Sequence, residues 1–438
     1  MLEKFHHHIN GHLSFLSSSR IAVAVSGGID SMVLLYLFHQ LKMDVCVLHC
    51  NFQLRGAVSD ADEQFIQKQA KKYGIPFYSV RFDTNAYVEK YKTSTQIAAR
   101  DLRYKWFEEQ KDVLNFDYLC TAHHADDSLE TFLINLSRGT GLQGLTGIPE
   151  VNNYIVRPLL LFSREEIQEF AIHNNILWRE DSSNAETKYL RNKLRHDIIP
   201  KLKEINPALL NNFKRTVENL KGDAKLIENN IVKLRSDIFI EENDKIIIEI
   251  DKLKSLSPRL TYLFYLFADY GFTEPNEIED ILQSQSGKQL LSETHRLVKD
   301  RDSIIITPVD FQNKEEIYCI YEENSRLTTP INLSIDLVDH INTSNPCTVY
   351  VDKEKLKFPL KLRKWKNGDY FYPFGMQGKK KISKYFKDEK FSLPDKEQQW
   401  LLCNNNNEII WVIGHRADNR YKVTEKTKQI IKIESVDA

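Results

Sequence analysis

Between Arg20 and Asn174, short apolar runs of strand length alternate with stretches of helical length, and no other feature of the chain restricts its fold so strongly. A run that is apolar at every position suits a strand buried on both faces, and strands separated by helices pair in parallel. Arg20–Val25 reads as the first strand, Asp44–His49 as the second, Pro76–Phe82 as the third and Tyr118–Ala122 as the fourth, with a fifth at Tyr154–Leu159. Helices are expected at Met32–Leu41, Ser59–Tyr73, Thr95–Gln110, Asp126–Leu136 and Ser163–Asn174. The expectation is an α/β fold built on a doubly wound parallel sheet, which binds ligands beyond the carboxyl ends of its strands.

With 438 residues the chain exceeds one ordinary core. Asn206-Pro207 marks a boundary, so the sheet domain is expected over 1–206. A mainly helical middle domain is expected over 207–345, opening with a long helix at Ala208–Leu234. A small β-rich domain is expected over 346–438, with strands at Thr348–Val351, Lys361–Arg363 and Ile409–Ile413 and a turn at Asn404–Asn407. The net charge of -1 argues against a uniformly basic nucleic-acid binder while leaving local basic faces open. Six scattered cysteines without a CxxC pair argue against a disulfide scaffold, a zinc site or an iron–sulfur cluster. The N-terminal residues lack the charged-then-apolar pattern of a signal peptide, and no apolar run is long enough to cross a membrane, so a cytoplasmic protein with reduced thiols and no membrane partner is expected. His6-His7-His8 cannot all face one way in a helix or strand, and with no Cys or Asp beside them they read as surface polarity rather than a metal site.

Directly after the first strand stands Ser26-Gly27-Gly28-Ile29-Asp30-Ser31. A Gly-Gly pair between a buried strand and a helix lets backbone N–H groups approach an anion, and the helix N-terminus adds its positive dipole end. Ser26 and Ser31 carry hydroxyls toward the same place. The spacing and lysine of a Walker loop are missing. SGGxDS is the PP-loop pattern, which implies that the β,γ-pyrophosphate is held as a leaving group. Asp30 beside an anion calls for a cation between them, and Mg²⁺ is the simplest one; the plainer reading makes Asp30 a helix cap and the glycines a tight turn.

Further blocks follow the second and fourth strands. His49-Cys50-Asn51-Phe52-Gln53-Leu54-Arg55-Gly56 lies past strand two, and Thr121-Ala122-His123-His124-Ala125-Asp126-Asp127-Ser128-Leu129-Glu130-Thr131 past strand four. Asp126 and Asp127 are candidate Mg²⁺ ligands with Asp30, although acids at a helix start also complement the dipole alone. Four of the chain's 16 glycines fall in Arg138–Gly147, which suggests close approach to a ligand or a mobile lid. His49, Arg55, His123 and Gly139 are expected to join Ser26, Gly27, Gly28, Ile29, Asp30 and Ser31 around ATP. Glu180-Asp181-Ser182-Ser183-Asn184 precedes Arg191-Asn192-Lys193-Leu194-Arg195, whose cations suit phosphates of a nucleic acid or of a leaving pyrophosphate, or merely a solvated helix face.

Together SGGIDS, HCNFQLRG, AARDLRYKWF, TAHHADDSLET, RGTGLQGLTGI, EDSSN and RNKLR resemble, in order and rough spacing, the tRNA(Ile)-lysidine synthase family. The dense match covers the first two hundred or so residues, and Trp365-Lys366-Asn367-Gly368-Asp369 with Pro373–Gly378 and Trp411–Gly414 is similar to the family's C-terminal domain. The resemblance implies a ligase that forms a carbon–nitrogen bond. ATP adenylates the C2 oxygen of the first anticodon base of a tRNA(Ile) with a CAU anticodon, releasing pyrophosphate. The ε-amine of L-lysine then displaces AMP, and the lysidine formed pairs with A instead of G, so decoding moves from AUG to AUA. Under it Asp30, Asp127, Glu130 and Arg191 are the expected catalytic residues, with Asp127 or Glu130 binding the lysine ammonium and taking its proton. A homodimer is compatible with this reading.

A tRNA substrate needs a basic, stacking surface. Lys353–Lys390 holds 13 Lys and Arg against four acids, with Trp365, Tyr370, Phe371, Tyr372, Phe374, Tyr385 and Phe386 interleaved. Arg363, Lys364, Lys379, Lys380, Lys381 and Lys384 are expected to bind tRNA alongside Arg191, Lys193 and Arg195. A PP-loop tRNA thiolase is the competing enzyme, but such enzymes commonly use cysteine clusters. An ammonia-dependent synthetase has little use for the basic region, and a non-catalytic nucleotide sensor little use for Asp30, Asp126, Asp127 and Glu130.

Overall fold

The computed structural model describes residues 1–179, 190–242, 244–309, 316–342 and 345–436; the Glu180–Asn184 block therefore lies outside the described residues. The chain divides into two units, Met1–Glu228 and Asn229–Ala438.

The first unit carries a six-stranded sheet. Strands β1 (Ile21–Ala24), β2 (Val45–Asn51), β3 (Phe77–Arg81), β4 (Tyr118–Cys120), β5 (Val151–Asn152) and β6 (Ile155–Val156) lie in the order β3-β2-β1-β4-β6-β5. All neighbours are parallel except β5 and β6. The apolar runs are continuous because both faces are covered. Ile21 and Val23 of β1 pack with Phe5 and Ile9 of helix α1 (Leu2–Gly11), with α2 (Ile29–Gln40), with Ile66 and Ala70 of α3 (Ala57–Tyr73), and with residues of a later helix, Ile167 and Ala171. Ala22, between them, points the other way with Cys46 and Leu48 toward Trp106 and Phe107. That face is roofed by α5 (Thr95–Leu114), which follows the short α4 (Thr84–Tyr91).

The chain winds outward through β1, β2 and β3 and then returns to the other side of β1 as β4. The carboxyl ends of β1 and β4 are therefore adjacent at the switch point, and the segments that leave them share one crevice. From β1 the chain enters α2; from β4 it enters α6 (Ala125–Arg138). The helix containing Ile167, α7 (Arg164–His173), packs on α2. Then come α8 (Leu190–Lys193), one π-helical turn (Leu194–Ile198), α9 (Ile199–Ile205) and α10 (Leu209–Ile238). The helical path breaks at Asn206, yet the first unit extends to Glu228, because Leu210, Phe213 and Val217 of α10 bury themselves with Leu129 and Ile199.

The second unit begins with a five-stranded antiparallel sheet. Its strands β7 (Phe239–Glu242), β8 (Lys245–Glu249), β9 (Gln289–Leu291), β10 (His295–Asp300) and β11 (Ser303–Pro308) are ordered β7-β8-β11-β10-β9. Between β8 and β9 run α11 (Ile250–Lys254), α12 (Arg259–Phe267) and α13 (Pro275–Gln283). Beyond it, β12 (Tyr318–Ile320), β16 (Leu360–Lys364), β19 (Trp400–Cys403) and β20 (Ile409–Val412) form one antiparallel sheet. A second contains β13 (Ser325–Leu327), β14 (Leu333–Val338), β15 (Thr348–Asp352) and β21 (Ile430–Ser435). Leu362, Leu402 and Trp411 of the first sheet meet Ile335, Val351 and Ile433 of the second in one core. The outer side of β19 and β20 is closed by Phe371 from the hairpin of β17 (Tyr370–Phe371) and β18 (Lys380–Lys381) and by Ile382 and Phe386 of α14 (Ile382–Asp388). Asn404, in the expected turn, is buried and accepts from Lys357 N at 2.6 Å, so it anchors a neighbouring strand entry as well. Among the described residues no helix is long and apolar enough to cross a membrane.

Candidate active site

The loop from β1 to α2 is shaped by its own hydroxyls. Ser31 Oγ donates to Gly28 O at 2.9 Å and accepts from Ser26 N at 3.2 Å. Gly27 adopts φ +89° with Ile66 of α3 pressed beneath it, a conformation that only glycine takes easily. Ser31 is buried and maintains the loop, while Ser26 is exposed at its rim. His49, at the end of β2, donates from Nδ1 to Val25 O at 2.8 Å, which ties the ends of β1 and β2 together beneath the loop. Burial lowers its pKa, so it is a neutral brace. Arg55 pairs with Asp62 of α3 at 2.9 Å, and Arg179, which pairs with the same carboxylate, donates its N–H to Gly27 O at 3.0 Å.

Across the crevice, the first turn of α6 presents four ionisable groups. His124 Nε2 stands 3.4 Å from Asp127 Oδ2 and 3.9 Å from Asp30 Oδ1, and its Nδ1 stands 3.6 Å from Asp126 Oδ2. Burial works against a charged imidazole here, but the three carboxylates outweigh it and hold the His124 pKa above its ordinary value. His123 goes the other way: burial dominates and brings it down to about 4, with its Nδ1 2.9 Å from Thr121 Oγ1. The two adjacent histidines are therefore shifted in opposite directions.

Every acid of this turn meets a cation or a backbone N–H. Asp126 accepts Lys203 Nζ on Oδ1 and Arg164 N on Oδ2, both at 2.8 Å. Asp127 accepts Arg195 Nη2 at 2.9 Å and His124 N at 3.0 Å. Glu130, only 1% exposed, is bracketed by Arg195 Nε at 2.6 Å and Arg191 Nε at 2.9 Å. Asp30, across the crevice, takes the guanidinium of Arg164 on Oδ1. Burial would raise the pKa of Asp126 and of Asp127, yet these partners hold both below the usual carboxylate range. Asp30, His49, Arg55, His123, Asp126, Asp127, Glu130, Arg191 and Arg195 thus gather around the ends of β1, β2 and β4. The sequence reading missed Arg164, Arg179 and Lys203. A cation in the first turn of α7 opposes the helix dipole, and that local misfit was the available signal for Arg164.

The glycine-rich stretch packs against α6. Gly139, at φ +75°, ends α6; Gly147 lies so close to Ser128 that a Cβ there would collide with its hydroxyl, and Asn135 Nδ2 donates to Gly144 O at 2.8 Å. These glycines permit the segment to fold back on α6 itself.

The C-terminal cations divide sharply. Arg363 is buried and grips Asp369 with both Nη atoms, at 2.7 and 2.9 Å. Lys364 has its Nζ 4.0 Å above the Trp400 ring, and burial pushes its pKa down to about 8. Lys380 pairs with Asp388 at 2.8 Å. Lys379, Lys381 and Lys384 are exposed, as is Lys193 of α8 in the first unit. Beside the three C-terminal lysines lie exposed Tyr370, Phe374 and Met376.

Residues 1–202 match the PP-loop domain model, 241–309 the TilS substrate binding domain and 360–434 the TilS substrate C-terminal domain. The tRNA(Ile)-lysidine synthase of Parabacteroides distasonis is 40% identical over 423 residues, covering 95% of each chain. That of Bacteroides thetaiotaomicron is 38% identical over 421 residues with the same coverage, and that of Clostridium perfringens 31% identical over 448. Phosphate loop and acid cluster thus lie within the first matched segment, β16, β19 and β20 within the last, the relatives are matched over 95% of their length, and the chain belongs to the tRNA(Ile)-lysidine synthase family.

Proposed function

We propose that the protein uses ATP to adenylate the C2 oxygen of the wobble cytidine of a tRNA(Ile) with a CAU anticodon and joins that carbon to the ε-amine of L-lysine. The observation that carries this reading is the meeting of Asp30, beside the phosphate loop, with the His124, Asp127, Glu130, Arg191 and Arg195 cluster across the β1–β4 switch point. In the first step the cytidine oxygen attacks the α-phosphorus and pyrophosphate leaves. In the second the lysine nitrogen attacks C2 and AMP leaves. Arg191 and Arg195, at the rim and anchored by buried Glu130, meet the negative charge that builds on the departing phosphates. The lysine ammonium must lose a proton before it attacks. Asp127 is assigned that proton, with His124 3.4 Å away; Glu130 has both oxygens on guanidinium groups and supports the site through them.

Mg²⁺ takes hard oxygen ligands and commonly uses one or two carboxylates plus substrate phosphates. Asp30, whose Oδ2 has no partner among the described residues, fits that role, whereas Asp126 and Asp127 each have both oxygens engaged. Such an ion would offset charge on the phosphates. A thiolase is disfavoured by the thiols themselves. None of the six cysteines forms a disulfide, and burial pushes Cys46 up to about 11 and Cys50 up to about 12, far from a reactive thiolate. Incubation with ATP, lysine and bacterial tRNA should yield AMP and pyrophosphate in equal amounts, both dependent on tRNA. Release of ADP and phosphate would rule the scheme out.

A further inference from the structure

Arg164 is out of place by local rules. The first turn of α7 is otherwise well built, since Ser163 Oγ accepts from Glu166 N at 3.0 Å and Glu166 Oε2 accepts from Ser163 N at 2.8 Å. A cation at this position faces the positive end of the helix, so something other than helix stability accounts for it. Its root is fixed: the Arg164 N–H donates to Asp126 Oδ2 at 2.8 Å, and Asp126 is 7% exposed. Lys203 holds the other Asp126 oxygen at 2.8 Å and reaches Glu165 at 2.7 Å. With Lys203 matching its charge, Asp126 does not draw the Arg164 guanidinium back to itself. The head remains 43% exposed and lies on Asp30, two residues beyond the glycine pair of the phosphate loop. A planar guanidinium with a fixed root and an accessible head, held beside a loop built for phosphate, is arranged to bind phosphate oxygens.

We propose that Arg164 binds the triphosphate of ATP and that Asp126 and Lys203 act through it as positioning residues. The proposal rests on the reading of Ser26–Ser31 as the ATP site. The competing view makes Arg164 no more than the counter-ion of Asp30, and a double-mutant cycle separates the two. Binding of α,β-methylene-ATP to the full chain is measured by calorimetry in magnesium-free buffer. Replacing Arg164 in the Asp30→Asn background should weaken binding about tenfold or more, the loss of a charge-assisted hydrogen bond. If Arg164→Gln has no effect once Asp30 is neutral, the proposal is overturned. Asp126→Ala should weaken binding several-fold in the parent chain and have little further effect in Arg164→Gln, with thermal unfolding confirming that each variant is folded. An equal loss in both backgrounds would overturn the positioning role. Formation of a lysine-bearing cytidine by the parent enzyme is read separately: its absence would sink the proposed function while leaving this ATP-binding cycle interpretable.

Discussion

The arginines and lysines at the mouth of the parallel sheet face carboxylates, whereas Lys379, Lys381 and Lys384 near the β17–β18 hairpin face water. In the first region Arg164, Arg191, Arg195 and Lys203 each hold an acid from a different part of the chain, so their positions are set to within a hydrogen bond. In the second, the exposed lysines share their surface with Tyr370, Phe374 and Met376, while Lys380 and Arg363 are fixed by acids. The difference suits two tasks. Chemistry on one phosphorus and one carbon needs charges held in place beforehand, while a long polyanion is gripped by mobile cations and stacking surfaces whose effect depends on salt.

The largest effect that would break the comparison is at Asp30. Asp30→Asn should lower the rate of pyrophosphate release by about a hundredfold or more, the scale seen when a preorganised charge is removed from an active site, while tRNA binding in a filter assay stays near the parent value. Next comes Arg363→Met, which takes the buried guanidinium from the half-buried Asp369 and leaves that carboxylate only the Lys366 N–H. It should destabilise the second unit by about 3 kcal/mol in urea unfolding, with little change in the salt slope of tRNA binding for the protein that remains folded. Changing Lys379, Lys381 and Lys384 together to alanine should do the reverse. Stability should hold, tRNA affinity should fall about tenfold at moderate salt, and the salt slope should drop by about two. Unchanged tRNA binding would remove the hairpin from the RNA surface.

The smallest effect concerns His123. The folded protein holds it at about 4, and an unfolded chain titrates it near 6.5. As pH falls the unfolded state takes up the proton first. The stability this neutral ring contributes is thus intact above about pH 6.5 and lost progressively down to about pH 4. The difference in unfolding free energy between His123→Gln and the parent should therefore change across that window and be flat outside it.

The sheet was readable because a doubly covered parallel strand is apolar at every position, and β1 and β2 are such strands. The motif blocks were readable because they follow strand ends, and the residues expected there do gather at the switch point. What escaped was pairing over long separations. Nothing local in Lys203 points to Asp126, or in Arg164 to Asp30, and Asp126 looked like a metal ligand because its two donors lie 38 and 77 residues away. Counting charge in the C-terminal stretch overrated Arg363 and Lys364, which belong to a buried ion pair and an aromatic contact. Helix α1 was also missed; its Phe5 and Ile9, one turn apart, carry the signal, which the three histidines between them obscure. Of those three, His6 and His7 are exposed as expected, while His8 is half-buried and bonded to Glu150 at 2.6 Å.

The most direct measurement is nucleoside mass analysis of bacterial tRNA treated with the enzyme, ATP and isotopically labelled lysine. The account predicts one labelled cytidine derivative, heavier than cytidine by lysine less water, confined to tRNA(Ile) with the CAU anticodon and absent with Asp30→Asn. Unmodified cytidine in that tRNA, or a sulfur-bearing nucleoside in its place, would contradict it.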